Sequence, residues 1–172
     1  HPLNDDVTTM VLTPRIVEAV KIPVVTVGGV ANGRTMAAAL ALGAEAVMMA
    51  TRFVATKECE VHDNIKQELV RRQENETTLI CKSIGLQGRA IRNKVVEDVL
   101  AVEARGGGLG ELIPLIAGKR VKEAWETGNV DLAPMMMGQS VGLVKDIPTC
   151  KELIQRMAAE AKEEIERVRK IF

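Results

Sequence analysis

Aromatic residues are scarce in this chain of 172 residues, which has one tryptophan, two phenylalanines and no tyrosine. Single-stranded nucleic acids bind proteins by stacking their bases on aromatic side chains, and such a platform is missing here. Charge offers no substitute, because 23 basic residues balance 23 acidic residues and leave no surplus for a phosphate backbone. We therefore expect no nucleic-acid partner.

Long apolar runs are also absent, since none approaches the roughly 18 residues that suggest a membrane span, and we expect no membrane association. The three cysteines, Cys59, Cys81 and Cys150, are odd in number and far apart. That spacing indicates neither a disulfide framework nor a compact metal site. Buried thiols in a reducing compartment fit the pattern, so the sequence predicts a cytoplasmic protein without a bound metal.

Two short apolar runs that stop in small residues are the most informative part of the sequence. They are Ile22–Ala31 (IPVVTVGGVA) and Ala44–Phe53 (AEAVMMATRF). Such β-branched runs are typical of strands buried on both faces of a parallel sheet. Between them, Asn32-Gly33 predicts a tight turn, and the alanine-rich run Met36–Leu42 predicts a helix thin enough to pack closely on the sheet. The unit is a strand, a helix and a strand.

The ends of these runs predict a phosphate-binding site. Gly28 and Gly29 have no Cβ to block an anion, and the helix that follows would point its positive end toward it. Ala50 and Thr51 end the second run, and Thr51 can add a hydroxyl donor. In (β/α)8 barrels such a site is frequently built from the loops after the last two strands. An ordinary turn at the glycine pair is the plainer interpretation.

Several motifs together resemble one enzyme family. In chain order they are His1, Asp5–Thr9, Ile22–Val25, Gly28–Gly33, Ala39–Ala46, Thr51–Phe53, Thr56–His62, Gly88-Arg89, Asn93 and Gly138–Gly142. Each motif is weak alone, because inosine monophosphate dehydrogenases and other phosphate-binding barrels share some of them. Their order and spacing resemble the nitronate monooxygenase family, formerly called 2-nitropropane dioxygenase, which includes flavin-type enoyl-acyl carrier protein reductases.

The resemblance implies an α/β fold, the C-terminal part of a (β/α)8 TIM barrel with a mostly helical second domain, and FMN as the cofactor. It implies that two turns hold the cofactor, formed by Gly28, Gly29, Met48, Met49, Ala50 and Thr51. Ala50 replaces the usual glycine of the family, and Met48 stands where many relatives have glutamine. Alanine can still offer its N–H to a phosphate if its φ angle is negative.

The resemblance also places the catalytic histidine of the family at His1. An imidazole, whose pKa is ordinarily roughly 6.5, suits removal of a carbon-bound proton beside a nitro group near neutral pH. The alternative is a terminal residue without a role.

Only two barrel strands are recognisable, whereas a (β/α)8 barrel needs eight, so we expect the chain to be part of a longer polypeptide and to be inactive alone. We expect residues 1–57 to form the end of the FMN-binding barrel and residues 58–145 a helical substrate or lid domain. Residues 146–172 should form a terminal helix that returns to the barrel.

The second half of the chain predicts mainly helices. Its apolar spacing and charge density predict helices over Val54–Gln73 and Leu112–Thr127 and a long amphipathic helix after Thr149. The β-prone run Thr77–Cys81 predicts a strand, and we expect Arg89–Asn93 to open the helix after it.

Three features of this half are functional candidates with plainer alternatives. On one helix face, Arg89 and Arg92 would meet an anionic substrate or pair with Glu97 or Asp98. The methionines of Met135–Gly142 would line an apolar pocket or fill the core. Gln139 has no assigned role.

The leading functional hypothesis is FMN-dependent oxidation of alkyl nitronates by dioxygen, which gives a carbonyl compound and nitrite. The main alternative is an FMN-dependent enoyl-thioester reductase that uses NAD(P)H, and a third is a non-catalytic flavin-binding or assembly module. A small-molecule substrate is expected in the first two cases, and a homodimer is possible.

Overall fold

The computed structural model describes residues 7–171. Its first half contains α1 (Thr9–Ala19), β1 (Val25–Val27), α2 (Gly33–Ala41), β2 (Ala46–Met48), α3 (Thr51–Val54) and α4 (Asp63–Arg71). Its second half contains β3 (Thr77–Ile80), β4 (Gly88–Ile91), α5 (Lys94–Ala104), α6 (Leu109–Ile116), α7 (Gly118–Thr127) and α8 (Cys150–Arg169). Two 3-10 turns, Lys82–Ile84 and Gln139–Leu143, complete the elements.

The predicted strand, helix and strand are confirmed, and β1 and β2 pair in parallel with Val27 opposite Met48. Thr26 is buried and shares a hydrogen bond with Thr13 of α1 at 3.0 Å. The prediction that both faces are buried is wrong for this chain, because Val25 and Val27 are 50% and 53% exposed. Successive strand residues point to opposite faces, and within residues 7–171 only the face of Thr26 is well covered.

The helix predicted over residues 54–73 is interrupted. α3 ends at Val54, and α4 begins only at Asp63. Between them the chain is held by other bonds, since the Thr56 hydroxyl donates to the carbonyl of Phe53 at 2.7 Å. His62 then caps α4, because its Nδ1 accepts the N–H of Asn64 at 3.1 Å. A cap residue has non-helical backbone and therefore starts a new helix.

The predicted helix start at Arg89–Asn93 is also wrong. Gly88–Ile91 is a strand antiparallel to β3, and β3 confirms the strand predicted over Thr77–Cys81, although it ends at Ile80. The helix begins after Asn93, whose side-chain oxygen accepts the N–H of Val96 at 2.9 Å. Asn93 marks the helix start, and pairing with β3 makes the residues before it a strand.

Apolar residues are buried in three clusters. The first joins α4, β4 and the segment Met135–Val144; the second packs the β3–β4 hairpin against α5 and α6; the third lies between α2 and α8. The predicted helix 112–127 is two helices, α6 and α7, separated at Ala117. No helix within residues 7–171 has the length and apolar character of a membrane span.

The terminal helix α8 packs along α2, the helix between the two parallel strands. Leu153, Met157 and Ala161 are buried in this contact. Ile154 and Ile165 are 56% and 49% exposed, so the predicted apolar stripe is only partly buried. The division of the chain at residues 57 and 145 stays a prediction.

Candidate functional site

The two turns that the sequence predicted as a phosphate site lie side by side. Val27 and Met48 are paired, so Gly28 and Met49 follow at the same edge of the sheet. Gly28 and Gly29 have φ angles of +95° and +78°, in the region where a Cβ is disfavoured. Both are exposed, and within residues 7–171 the Gly29 N–H makes no hydrogen bond. Ligands of parallel sheets commonly bind at this carboxyl edge.

The second turn offers a hydroxyl in a fixed position. Thr51 begins α3 and is 8% exposed, and its Oγ1 accepts the N–H of Gly138 at 3.1 Å. A hydroxyl that accepts one hydrogen bond still has its own proton to donate. Ala50 has a φ of −113°, so its methyl group imposes no left-handed strain on the turn. Alanine in place of glycine is therefore compatible with this backbone.

The start of α2 differs from the expectation that it faces an anion. Its first N–H, from Gly33, donates to the Glu160 carboxylate of α8 at 2.8 Å, and the N–H of Thr35 donates to the Asn32 side chain at 2.9 Å. A Cβ on Gly33 would lie 2.6 Å from the backbone nitrogen of Ala161. The start of α2 is thus occupied by α8. The N–H and hydroxyl groups that remain as candidate donors to an anion are those of the two turns.

The methionines divide between core and surface. Met135 and Met137 are buried in the first cluster, as the plainer interpretation held. Met136 is 44% exposed and its side chain packs directly over Gly88. Of the two methionines in the second turn, Met48 is 57% exposed, whereas Met49 packs against the cluster between α2 and α8.

A buried arginine follows the second turn, and the sequence analysis missed it. The side chain of Arg52 is 2% exposed. Its Nη1 donates to the carbonyls of Ala55 (3.2 Å) and Asp146 (3.1 Å), and its Nη2 donates to the Asp146 carboxylate at 2.6 Å. Arg156 of α8 binds the same carboxylate with both Nη atoms, at 2.6 and 3.0 Å. A single charged residue within the small and apolar run 46–55 was the signal that could have found it.

At neutral pH the carboxylate of Asp146 and the guanidinium groups of Arg52 and Arg156 are all ionised. Hydrogen bonds from Arg156 and the nearby charges of both arginines lower the pKa of Asp146. Burial lowers the pKa of Arg52, and the Asp146 carboxylate opposes that shift. Arginine is nevertheless ionised throughout the physiological range, so the network contains two cations around one carboxylate.

The other predicted candidates lie elsewhere. His1 is outside the described residues. Arg92 pairs with Glu97 at 2.9 Å, which confirms the ion-pair alternative, and Arg89 donates to the Thr77 hydroxyl at 3.1 Å. Gln139 is exposed at the start of a 3-10 turn.

The described part of the chain gives no sign of metal or thiol chemistry. It contains no group of three metal-ligating side chains, and all three cysteines are free. Burial and the nearby Glu103 raise the pKa of the Cys81 thiol, which disfavours the reactive thiolate there.

Comparison with known proteins agrees with the motif resemblance. The family model described as nitronate monooxygenase matches residues 1–160. A "(3aS,4S,5R,7aS)-5-hydroxy-7a-methyl-1-oxo-octahydro-1H-indene-4-carboxyl-CoA dehydrogenase" of Rhodococcus jostii is 32% identical over 90% of the chain and 54% of its own length. A probable nitronate monooxygenase of Staphylococcus haemolyticus is 32% identical over 90% of the chain and 43% of its own length.

A solved structure agrees as well. FabK from Thermotoga maritima superposes with a TM-score of 0.88 at 34% identity, over 98% of this chain and 53% of that one. The chain spans about half the length of the curated relatives that it matches. With a family model covering most of its residues, the chain belongs to the nitronate monooxygenase family.

Proposed function

We propose that β1 and β2 are the last two strands of a (β/α)8 barrel and that the turns after them bind the phosphate of FMN. The observation that carries this proposal is the alignment of the two turns, Gly28-Gly29 and Ala50-Thr51, at one edge of a parallel pair. The similarity to FabK over nearly the whole chain supports the fold assignment.

The residues present fit a phosphate group. Gly28 and Gly29 hold backbone conformations that favour glycine, at an exposed turn where a phosphate can approach the main chain. Thr51 keeps a hydroxyl proton to donate, and Ala50 offers a backbone without left-handed strain. Met48, exposed beside this edge, provides apolar surface for the flavin ring. When bound, FMN supplies the electron transfer.

For the reaction, we propose oxidation of an alkyl nitronate with dioxygen to a carbonyl compound and nitrite. The family match and the similarity to a probable nitronate monooxygenase support it. His1 would act as the base that converts a neutral nitroalkane to the nitronate, or as a hydrogen-bond partner of the nitronate. The two turns would fix the position of the cofactor, so that the chain's own contribution is binding and orientation.

A second candidate is reduction of an enoyl thioester with NAD(P)H. Its support is the Rhodococcus relative, which is named as a dehydrogenase of a substrate that carries a carboxyl-CoA group, and such a group is a thioester. Both candidates use the same phosphate turns, so these turns do not distinguish them. Either reaction makes the protein a flavin-dependent oxidoreductase with a small-molecule substrate.

The test uses the whole polypeptide that carries this chain, purified with FMN and kept anaerobic while flavin absorbance is recorded. Loss of absorbance on adding an alkyl nitronate, restored by air with release of nitrite, is the expected result. Loss of absorbance with a reduced nicotinamide alone, restored by an enoyl thioester, would replace the first reaction by the second. A protein that retains no FMN would contradict both.

A further inference from the structure

The segment from Gly138 to Asp146 is attached at both ends to consecutive residues, the last residue of the second turn and the residue that follows it. At one end the Gly138 N–H donates to Thr51, and at the other the Asp146 carboxylate accepts from Arg52. Thr51 and Arg52 are the first two residues of α3, and Thr51 is also one of the proposed phosphate donors. The position of this turn is therefore coupled to a segment that is 87 to 94 residues away in sequence.

Helix α8 extends this coupling to α2, the helix that follows the first turn. Arg156 and Glu160 are four residues apart and lie on the same face of a helix. Arg156 binds Asp146 and through it Arg52, after β2, while Glu160 accepts the N–H of Gly33, which begins the helix after β1. One face of α8 thus contacts structures that follow both strands.

The contacts that Arg52 and Gly33 make are costly to separate. Arg52 is almost fully removed from water, and a buried cation is tolerated only with its partners in place. Gly33 allows α8 to approach so closely that a Cβ would lie 2.6 Å from the carbonyl oxygen of Met157. Loosening the first contact would leave the buried charge of Arg52 without its partner, and loosening the second would separate two packed helices.

We propose that α8 sets the spacing of the two turns, with Asp146, Arg156 and Glu160 as positioning residues that determine affinity for the phosphate group of the ligand. The inference rests on the proposed function, because it assumes that the turns bind the phosphate of FMN. It adds that residues which do not touch this phosphate control its recognition. If α8 were only a structural support, loosening it would weaken binding of the flavin ring and of the phosphate alike.

The experiment compares FMN with riboflavin, which has the same ring and lacks the phosphate. Quenching of flavin fluorescence gives both dissociation constants for the whole polypeptide and its variants. Asp146→Asn removes the negative charge between Arg52 and Arg156, and Glu160→Ala removes the acceptor of the Gly33 N–H. Each variant should weaken FMN binding about tenfold, the order of effect of a charge-assisted hydrogen bond, while riboflavin binding changes less than about twofold.

Glu164→Ala is the matched control. Glu164 lies one helical turn beyond Glu160 and also contacts α2, but through the exposed side chain of Arg34 at 2.7 Å. It should leave both dissociation constants unchanged. Glu160→Gln should restore most of the preference for FMN, because its amide oxygen can still accept the Gly33 N–H.

The outcomes separate the two proposals. A parent protein that binds riboflavin as tightly as FMN overturns the phosphate site itself. A parent that prefers FMN, with variants that weaken both ligands equally or neither, overturns the positioning role and leaves the phosphate site in place. If Asp146→Asn does not fold, the Glu160 and Glu164 variants still decide the question.

Discussion

The parallel strand pair and the β3–β4 hairpin with its helices use apolar residues in opposite ways. In the hairpin region, Val96 and Val99 of α5 have no exposed surface. In the strand region, Val27 and Met48 are more than half exposed, although these side chains are apolar like those of the hairpin core. The hairpin region buries its core with its own residues, whereas one face of the pair β1 and β2 is left exposed within residues 7–171. That difference supports the proposal that β1 and β2 belong to a larger sheet.

The largest effect should come from the close contact between α2 and α8 at Gly33. We expect Gly33→Ala to lower the free energy of unfolding by about 3 kcal/mol, since the added Cβ meets backbone atoms that cannot move aside. Denaturant unfolding measures it. Gly118→Ala, at a helix start with open space around it, should cost nothing. Equal losses in the two variants would contradict the close α2–α8 contact.

A matched pair of valines tests the comparison directly. Val99→Ala should cost about 2 kcal/mol, because it removes buried methyl groups and leaves a cavity. Val27→Ala should cost less than about 0.5 kcal/mol in this chain, since that side chain is mostly in water. Both changes are measured by denaturant unfolding of the 172-residue chain. A similar cost at both positions would show that the exposed strand face is covered in solution.

The polar network that braces the strand region should make stability depend on pH. The pKa of Asp146 is lowered in the folded state, so its stabilisation is complete above the unfolded value of about 3.9. It is lost as the pH falls from there through the folded-state pKa. Because Asp146 is partly exposed, we expect a loss of about 1 kcal/mol or less.

Thermal unfolding between about pH 6 and about pH 2 measures this dependence, because the loss begins near the unfolded pKa and continues below it. Several glutamates with lowered pKa values, Glu58, Glu76, Glu152 and Glu164, also lose stabilisation in acid, so the wild-type curve alone is insufficient. The Asp146→Asn variant should show a shallower decline than the parent chain. Parallel curves would mean that the network does not titrate in this range.

The smallest effect is expected at a surface ion pair of the hairpin region. Arg92 and Glu97 are 48% and 57% exposed, so Arg92→Ala should change the free energy of unfolding by less than about 0.5 kcal/mol. A double-mutant cycle with Glu97→Ala isolates the pair. A coupling above about 1 kcal/mol would show that solvent screens this pair less than its exposure indicates.

Local sequence patterns predicted strands and helices correctly where one kind of residue, β-branched or alanine, made up most of the segment. The runs around Thr26 and Val47 gave two strands, and alanine-rich residues gave the helix between them. The pattern failed at Arg89–Asn93, where residues compatible with a helix pair with β3 instead. It also failed at residues 54–73, because charged residues continue through a segment whose backbone bonds go to distant residues such as Pro148.

The sequence by itself determined the turns of the candidate site, because glycine at two left-handed positions and threonine after an apolar strand are local requirements of a backbone. Only the tertiary structure decided which groups surround them. Glu160 on the start of α2, Gly138 on Thr51 and Asp146 on Arg52 are contacts between residues about 90 or more apart in sequence. The buried Arg52 pairs with Asp146, which is bound in turn by Arg156 of α8. The periodicity of residues within one segment contains no information about which residue of another segment will pair with it.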